Sequence, residues 1–76
     1  MQFVRSGIYR GFRIRFGARE VAPGLFEPMA ESQSSSLGPE ALGTEMDFDR
    51  RWLMGLNEAM IQAHETVTHW VDAQKR

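Results

Sequence analysis

The sequence predicts an α+β fold, in which a small antiparallel β-sheet packs on one long C-terminal amphipathic helix. Three features of the 76 residues predict it. They are a period-two alternation near the N-terminus, a Pro-Gly pair at positions 23 and 24, and a helical spacing of apolar residues after position 50. A chain of this length makes one small domain, so we expect a single domain over residues 1–76.

Residues 8–21 have the alternation that is typical of a half-buried strand. Apolar and charged side chains follow one another in the run Phe12, Arg13, Ile14, Arg15 and Phe16. Because successive side chains of a strand point to opposite faces, this strand is expected to have a buried aromatic face and an exposed cationic face. A bend or bulge is expected at its start, near Arg10 and Gly11.

The following residues predict a β-hairpin that covers residues 8–31. Pro23 and Gly24 suit the two central positions of a type II turn, because proline fixes its own φ and glycine accepts a positive φ. Residues 25–31 are then the returning strand. Pro28 has no N–H group, so the strand is expected to be an edge, or to be kinked, at that residue.

The middle of the chain predicts a flexible loop and then a weak strand. Residues 32–41 are rich in serine, glycine and proline and show no periodicity. Residues 42–48 contain a short alternation of acidic and apolar side chains, formed by Glu45, Met46, Asp47 and Phe48. Gly43 and the acidic residues disfavour a strand, so a third strand is an addition to the hairpin and not a required element.

The last third of the chain predicts one amphipathic helix. At about 100° per residue, one stripe contains six apolar residues: Leu53, Leu56, Met60, Ala63, Val67 and Val71. Trp52 and Trp70 lie along one margin of this stripe. The favoured helix covers residues 50–74, with Asp49 or Asp47 as its N-cap.

A later start of the helix is the alternative. Asn57 would then be the N-cap, with Glu58 in the first turn, and residues 46–53 would form a strand. Residues 58–73 are helical in both versions.

Composition limits the classes of protein that fit this chain. It has no cysteine, so disulfides and thiolate metal sites are excluded. No apolar run approaches the roughly 20 residues that span a bilayer, and the N-terminus lacks the apolar stretch of a signal peptide. We therefore expect a cytoplasmic protein with no membrane contact.

Charge is divided unequally along the chain. Residues 1–20 contain five arginines and one glutamate, a net charge of +4, and residues 21–76 have a net charge of −5. Two interpretations fit this division. Either the basic segment faces the acidic remainder, within one molecule or across a dimer, or it binds an external anionic partner.

No residue set has the spacing of a catalytic or metal site. His64 and His69 are five residues apart, about 140° around a helix, whereas zinc sites of this kind need histidines four residues apart. Ser34, Ser35 and Ser36 lie in the predicted loop, without the strand-to-helix turn that positions a nucleophile. We expect no enzyme activity, no metal, no cofactor and no small-molecule substrate.

Two surfaces are candidates for binding. The first is the helix stripe, because a helix of residues 50–74 would be longer than a sheet of short strands can cover, which favours a protein partner or a homodimer. Its candidate residues are Trp52, Leu53, Leu56, Met60 and Trp70. The second is the cationic face of the hairpin, which could bind nucleic acid or another anion, through Arg10, Arg13, Arg15 and Arg19.

A family resemblance accompanies these features. The opening Tyr9-Arg10-Gly11-Phe12-Arg13-Ile14, then Glu58-Ala59 and Trp70-Val71-Asp72, resemble small uncharacterised bacterial proteins that are similar in outline to the domain of HicB-type antitoxins. The resemblance implies a β-β-β-α order and partner binding, and it supplies no catalytic residues. Together these features predict a non-catalytic, self-associating protein-interaction module, or an antitoxin-like or phage-type inhibitor of a larger protein. Nucleic-acid binding is the alternative.

Overall fold

The computed structural model describes residues 2–34, 43–46, 48 and 53–74. In that part the elements are β1 Gln2–Tyr9, β2 Phe12–Ala22, β3 Leu25–Ser34, β4 Thr44–Glu45 and α1 Leu56–Gln74. The strands form one antiparallel sheet in the order β1-β2-β3-β4, and α1 packs across β2 and β3. The predicted α+β fold is confirmed. The described residues contain no helix with the length and apolar character needed to cross a membrane.

The predicted first strand of the hairpin is in fact parts of two strands. β1 pairs with β2 from Tyr9↔Phe12 to Gln2↔Arg19, and the two residues between them form a tight turn. Arg10 and Gly11 both have positive φ, 51° and 86°, as the type I′ turns that join right-twisted strands require. The bend or bulge expected here is wrong, because the chain reverses direction completely.

The second turn agrees with its prediction. Ala22 pairs with Leu25, and Gly24 has a φ of 75°, the positive value that the third position of a type II turn requires. The register shifts between Glu20 and Ala22, so one extra residue bulges just before the turn.

Pro28 lies in β3 where its missing N–H group breaks no bond to β2. On the side of β3 away from β2, Phe26 exchanges backbone hydrogen bonds with Met54, and the Ala30 carbonyl accepts from Met46 N–H at 2.8 Å. Alternate residues bond to the same side, so Pro28 faces the gap between these two contacts. No described residue pairs with it there, as the edge prediction required.

The predicted loop and third strand are only partly described. β3 continues to Ser34, so the loop expected from residue 32 begins too early, and residues 35–42 lie outside the described part. β4 has two residues, Thr44 and Glu45, and lies within the predicted strand at 42–48. It pairs with β3 through Glu31↔Glu45 and Ser32↔Thr44.

The helix begins later than the favoured prediction. α1 starts at Leu56, and residues 53–55 are described but not helical, so a helix over 50–74 is wrong at its start. Met54 instead bonds to β3, donating to the Phe26 carbonyl (3.1 Å) and accepting from the Phe26 N–H (2.8 Å). These bonds occupy backbone groups that a helix through residue 54 would need internally.

The alternative start is closer to the structure. The Gly55 carbonyl accepts the first helical bond from Ala59 N–H at 3.0 Å, so Gly55 occupies the N-cap position. The predicted N-cap, Asn57, is wrong, because it lies inside the first turn of α1. Glu58 lies in the first turn, as predicted. The strand that this alternative placed at 46–53 is wrong at residues 46, 48 and 53, none of which is in a strand. Asp47 and Asp49 lie outside the described residues.

The core lies between α1 and one face of β2 and β3. Every fourth residue of the helix is fully buried: Ala59, Ala63, Val67 and Val71. The sheet contributes Ile14, Ala18, Phe26 and Ala30. Since four of these eight side chains are alanine, the helix backbone can lie close to the sheet.

Sheet and helix match in length, which corrects one expectation. The 19 residues of α1 span about 28 Å at 1.5 Å per residue, and the 11 residues of β2 span about 36 Å. The predicted excess of helix over sheet is therefore absent. Excess helix length was the main reason to expect a partner on the helix, and that reason no longer holds.

A polar contact ties the β1–β2 turn to the end of α1. The Tyr9 hydroxyl donates to Asp72 Oδ1 at 2.9 Å, and the Arg10 guanidinium donates to the same oxygen at 2.7 Å. We call these three residues the clasp. The clasp joins positions more than sixty residues apart.

The clasp changes the proton affinity of two of its groups. Hydrogen bonds from Arg10 and then from Tyr9 lower the pKa of Asp72 below its ordinary 3.8. The pKa of Tyr9 is raised above its ordinary 10.0, chiefly because its hydroxyl donates to the Asp72 carboxylate. The Asp72 contribution to stability is therefore complete above its unfolded pKa and lost in acid. The Tyr9 contribution is complete below pH 10.0 and lost above it.

Replacement of Asp72 tests the clasp. We expect Asp72→Asn to lower the melting temperature by a few degrees at neutral pH, because an amide forms no ion pair with Arg10. Wild type and variant should converge as the pH falls below 3.8, measured by circular dichroism across a pH series. Glu65→Gln, an exposed carboxylate on the same helix, is the control and should change little. Equal effects of the two substitutions at neutral pH would contradict the clasp.

Gly17 marks a close approach of β1 to β2. A Cβ atom at Gly17 would collide with the Phe3 carbonyl oxygen, whereas a Cβ atom at Gly7 would meet nothing within 4 Å. We expect Gly17→Ala to lower the free energy of unfolding by about 1–3 kcal/mol and Gly7→Ala to leave it nearly unchanged, measured by urea denaturation. Equal urea midpoints for the two variants would show that β1 can move away without cost.

Candidate interaction surfaces

In the part of the chain that the structure describes, α1 covers one face of the sheet and the other face is open. The register places eleven side chains of β1, β2 and β3 on the open face: Gln2, Val4, Ser6, Ile8, Arg13, Arg15, Arg19, Glu27, Met29, Glu31 and Gln33. As the period-two alternation predicted, Arg13, Arg15 and Arg19 share this face. Arg10 does not, because it lies in the turn and pairs with Asp72 on the helix.

Two of the open-face arginines already have acidic partners within the molecule. Arg15 pairs with Glu31 at 3.1 Å, and Arg19 pairs with Glu27. Each pair joins directly opposite residues of β2 and β3, where unlike charges stabilise the ladder. Part of the positive charge of residues 1–20 is thus neutralised by acidic residues of the same molecule.

Arg13 differs from its neighbours on the open face. It lies opposite Ile8 in β1 and Gln33 in β3, and none of the ion pairs among the described residues includes it. Of the four predicted anion-binding residues, Arg13 alone in the described part of the chain is without an acidic partner. One exposed arginine is a weak basis for binding a polyanion, because phosphate affinity grows with the number of cations in contact.

The predicted helix interface does not form one surface in the described structure. Leu56 and Met60 are half-buried and pack with Ala59 against the β-sheet. Trp70 packs edge-to-face on Phe12, with ring centroids 5.7 Å apart. Met60 and Trp70 are ten residues apart, or about 15 Å along the helix. Leu53 is 41% exposed and precedes the helix, and Trp52 lies outside the described residues.

The two histidines of α1 have different surroundings. Both are exposed, but the His64 ring also lies edge-on to the ring of Phe16, with centroids 4.9 Å apart. Among the residues that the structure describes, no three histidine, aspartate or glutamate side chains are grouped as metal ligands.

Sequence reasoning missed the edge strand β1. β1 is the outermost strand of the sheet on its side, and its side chains Phe3, Val4 and Ile8 are 37%, 40% and 73% exposed. Proteins usually protect such edges with proline, lysine, bulges or a covering segment. β1 contains neither proline nor lysine, and its pairing with β2 has no register shift. The period-two pattern gave no signal for this strand, because its apolar residues come in adjacent doublets at 3–4 and 8–9.

The hydrogen-bond pattern identifies which groups of β1 point outward. Alternate residues of an antiparallel strand bond to opposite neighbours. Phe26 and Ala30 bond away from β2, so the odd-numbered residues of β3 bond to β2. The register then assigns the even-numbered residues of β2 and the odd-numbered residues of β1 to the β1–β2 ladder. The N–H and C=O groups of Gln2, Val4, Ser6 and Ile8 therefore point away from β2, and among the described residues none bonds to them. We call this row of groups the free edge of β1.

The free edge and the exposed side chains beside it thus form one continuous surface. Val4 and Ile8 point to the open face, and Phe3 points to the helix side, where its ring is 6.2 Å from that of Phe26. Backbone groups and apolar side chains together are what an added strand contacts.

Comparison with models of protein families, with curated proteins and with solved structures finds no significant match to this chain. The case for a function therefore depends on the geometry of these surfaces.

Proposed function

We propose that this chain is a non-catalytic protein-interaction module that binds a protein segment along the free edge of β1. The observation that carries the proposal is the combination of outward backbone groups at Val4, Ser6 and Ile8 with apolar side chains that are 37–73% exposed beside them. An extended segment added there would extend the sheet by one strand, a common mode of peptide recognition.

Backbone bonding supplies the affinity in this mode, and side chains supply the selectivity. Val4, Ser6 and Ile8 offer about six hydrogen bonds to an added antiparallel strand, and Gln2 offers about two more. Val4 and Ile8 favour apolar or β-branched partners on the open face, because cross-strand pairs of this kind stabilise sheets. An antitoxin-like or phage-type inhibitor of a larger protein is one form of such a module. We expect the protein to be cytoplasmic.

Nucleic-acid binding has less support. Of Arg10, Arg13, Arg15 and Arg19, three pair with acids of the same molecule, so a polyanion would have to compete with those carboxylates. The alternative has its own test, which is salt-sensitive retention of the wild type on heparin that Arg13→Glu abolishes. That result would favour the arginine face over the edge.

The edge is tested with peptides selected from a random displayed library against the full chain. Selected peptides should shift the amide resonances of Val4, Ser6 and Ile8 and slow their hydrogen exchange. Ser6→Pro should weaken binding at least tenfold, because it removes an outward N–H without removing a bond to β2.

Ser6→Thr keeps that N–H and is the matched control, so it should bind as the wild type does. Circular dichroism of both variants establishes that the fold is retained. Peptides that bind equally well to wild type and Ser6→Pro, or that shift only resonances of α1, would contradict the proposed edge.

A further inference from the structure

We infer that the partner for which the β1 edge is built is a second copy of the same chain. In this dimer two β1 strands pair antiparallel about a two-fold axis at Ser6, so that one sheet runs through both copies. The inference rests on the proposed function, since it names the occupant of the same edge.

Backbone geometry limits the registers that such a dimer can adopt. Only the even-numbered residues of β1 point their N–H and C=O groups outward, so antiparallel pairing must join even residues to even residues. The two-fold axis then passes through a residue and its own symmetry mate. Axes at Arg5 and at Ser6 give the longest overlap of the two strands, and the choice lies between them.

Side-chain chemistry favours the axis at Ser6. With the axis at Arg5, two arginines stand directly opposite each other, which is destabilising, and Val4 faces a serine. With the axis at Ser6, Val4 of each copy faces Ile8 of the other on the open face. Arg5 then faces Gly7, whose small size leaves room for the long side chain.

The same register also completes the helix side of the sheet. There Phe3 of one copy faces Tyr9 of the other, and the two-fold axis repeats each pair. Two apolar pairs on one face and two aromatic pairs on the other therefore come from one strand sequence. Such self-complementarity is what an isologous interface requires. An unrelated strand would have to supply a suitable apolar or aromatic residue at each of these positions.

The size of the interface sets the expected strength. One strand edge, with about six backbone hydrogen bonds and a few apolar side chains, is smaller than a standard permanent interface. The net charge of −1 per chain adds little repulsion. We therefore expect a concentration-dependent dimer with a dissociation constant on the order of micromolar, the weak end of the range for larger interfaces.

Sedimentation equilibrium of the full chain, over concentrations either side of that value, tests the dimer. Ile8→Glu should weaken dimerisation at least tenfold, because it places a charge opposite Val4 of the other copy. Ile61→Glu is the matched control, an apolar residue on α1 that is 58% exposed against 73% for Ile8, and it should dimerise as the wild type does. Dimers lost in Ile61→Glu or Leu53→Asp but kept in Ile8→Glu would overturn the inference.

Cysteine crosslinking tests the register, and the absence of native cysteine makes it unambiguous. In the inferred dimer the two Ser6 Cα atoms are about 5.5 Å apart, within the disulfide range of roughly 4.4–6.8 Å. Ser6→Cys should therefore form a covalent dimer on mild oxidation, and Arg5→Cys should not. Crosslinking of Arg5→Cys in preference to Ser6→Cys would contradict the axis.

Failure of the inference can be told apart from failure of the proposed function. A chain that stays monomeric at every concentration, while selected peptides still bind the β1 edge, overturns the second copy and leaves the interaction module standing. A monomer to which no peptide binds at β1 overturns both.

Discussion

The structure depends on the alternation of side chains along β2. Its even-numbered residues, including Ile14 and Ala18, meet α1, and its odd-numbered arginines occupy the open face. β2 also pairs along most of its length on both sides, with β1 and with β3. Because a shift of one residue would move every side chain to the other face, this single pattern sets the register of the hairpins and the side on which the helix packs.

The helix can use that face because the contacting residues are small. Alanines at positions 59 and 63 of α1 meet β2 and β3, where Ala18 and Ala30 are also buried. These alanines let the helix lie close to the sheet in the middle of the interface. Larger side chains pack at its two ends. Trp70 with Phe12 fills one end, and Met54, Leu56 and Met60 fill the other.

The sequence predicted the elements whose side-chain spacing matches their secondary structure. β2 has alternating apolar and charged residues, the β2–β3 turn has a Pro-Gly pair, and the buried residues of α1 have helical spacing. β1 was not predicted, because its apolar residues come in adjacent doublets and its turn places an arginine at positive φ. The helix start was missed because Leu53 has the helical spacing of the apolar stripe. The backbone bonds between Met54 and Phe26 prevent a helix there, and the pattern of apolar residues does not reveal such bonds.

The pairing of strands also explains why the β1 edge is a better candidate for binding than the two surfaces that the sequence predicted. The open face looks cationic in sequence, but β3 places Glu27 and Glu31 opposite two of its arginines. Most of the positive charge is therefore neutralised by ion pairs within the same face. The helix stripe looks unpartnered in sequence, but strands of ten and eleven residues are long enough to cover it. The outward backbone groups at the edge of the sheet have no partner among the described residues, and they are a template on which another strand can pair. Among the surfaces described, the edge of β1 is therefore where binding a second chain would gain most.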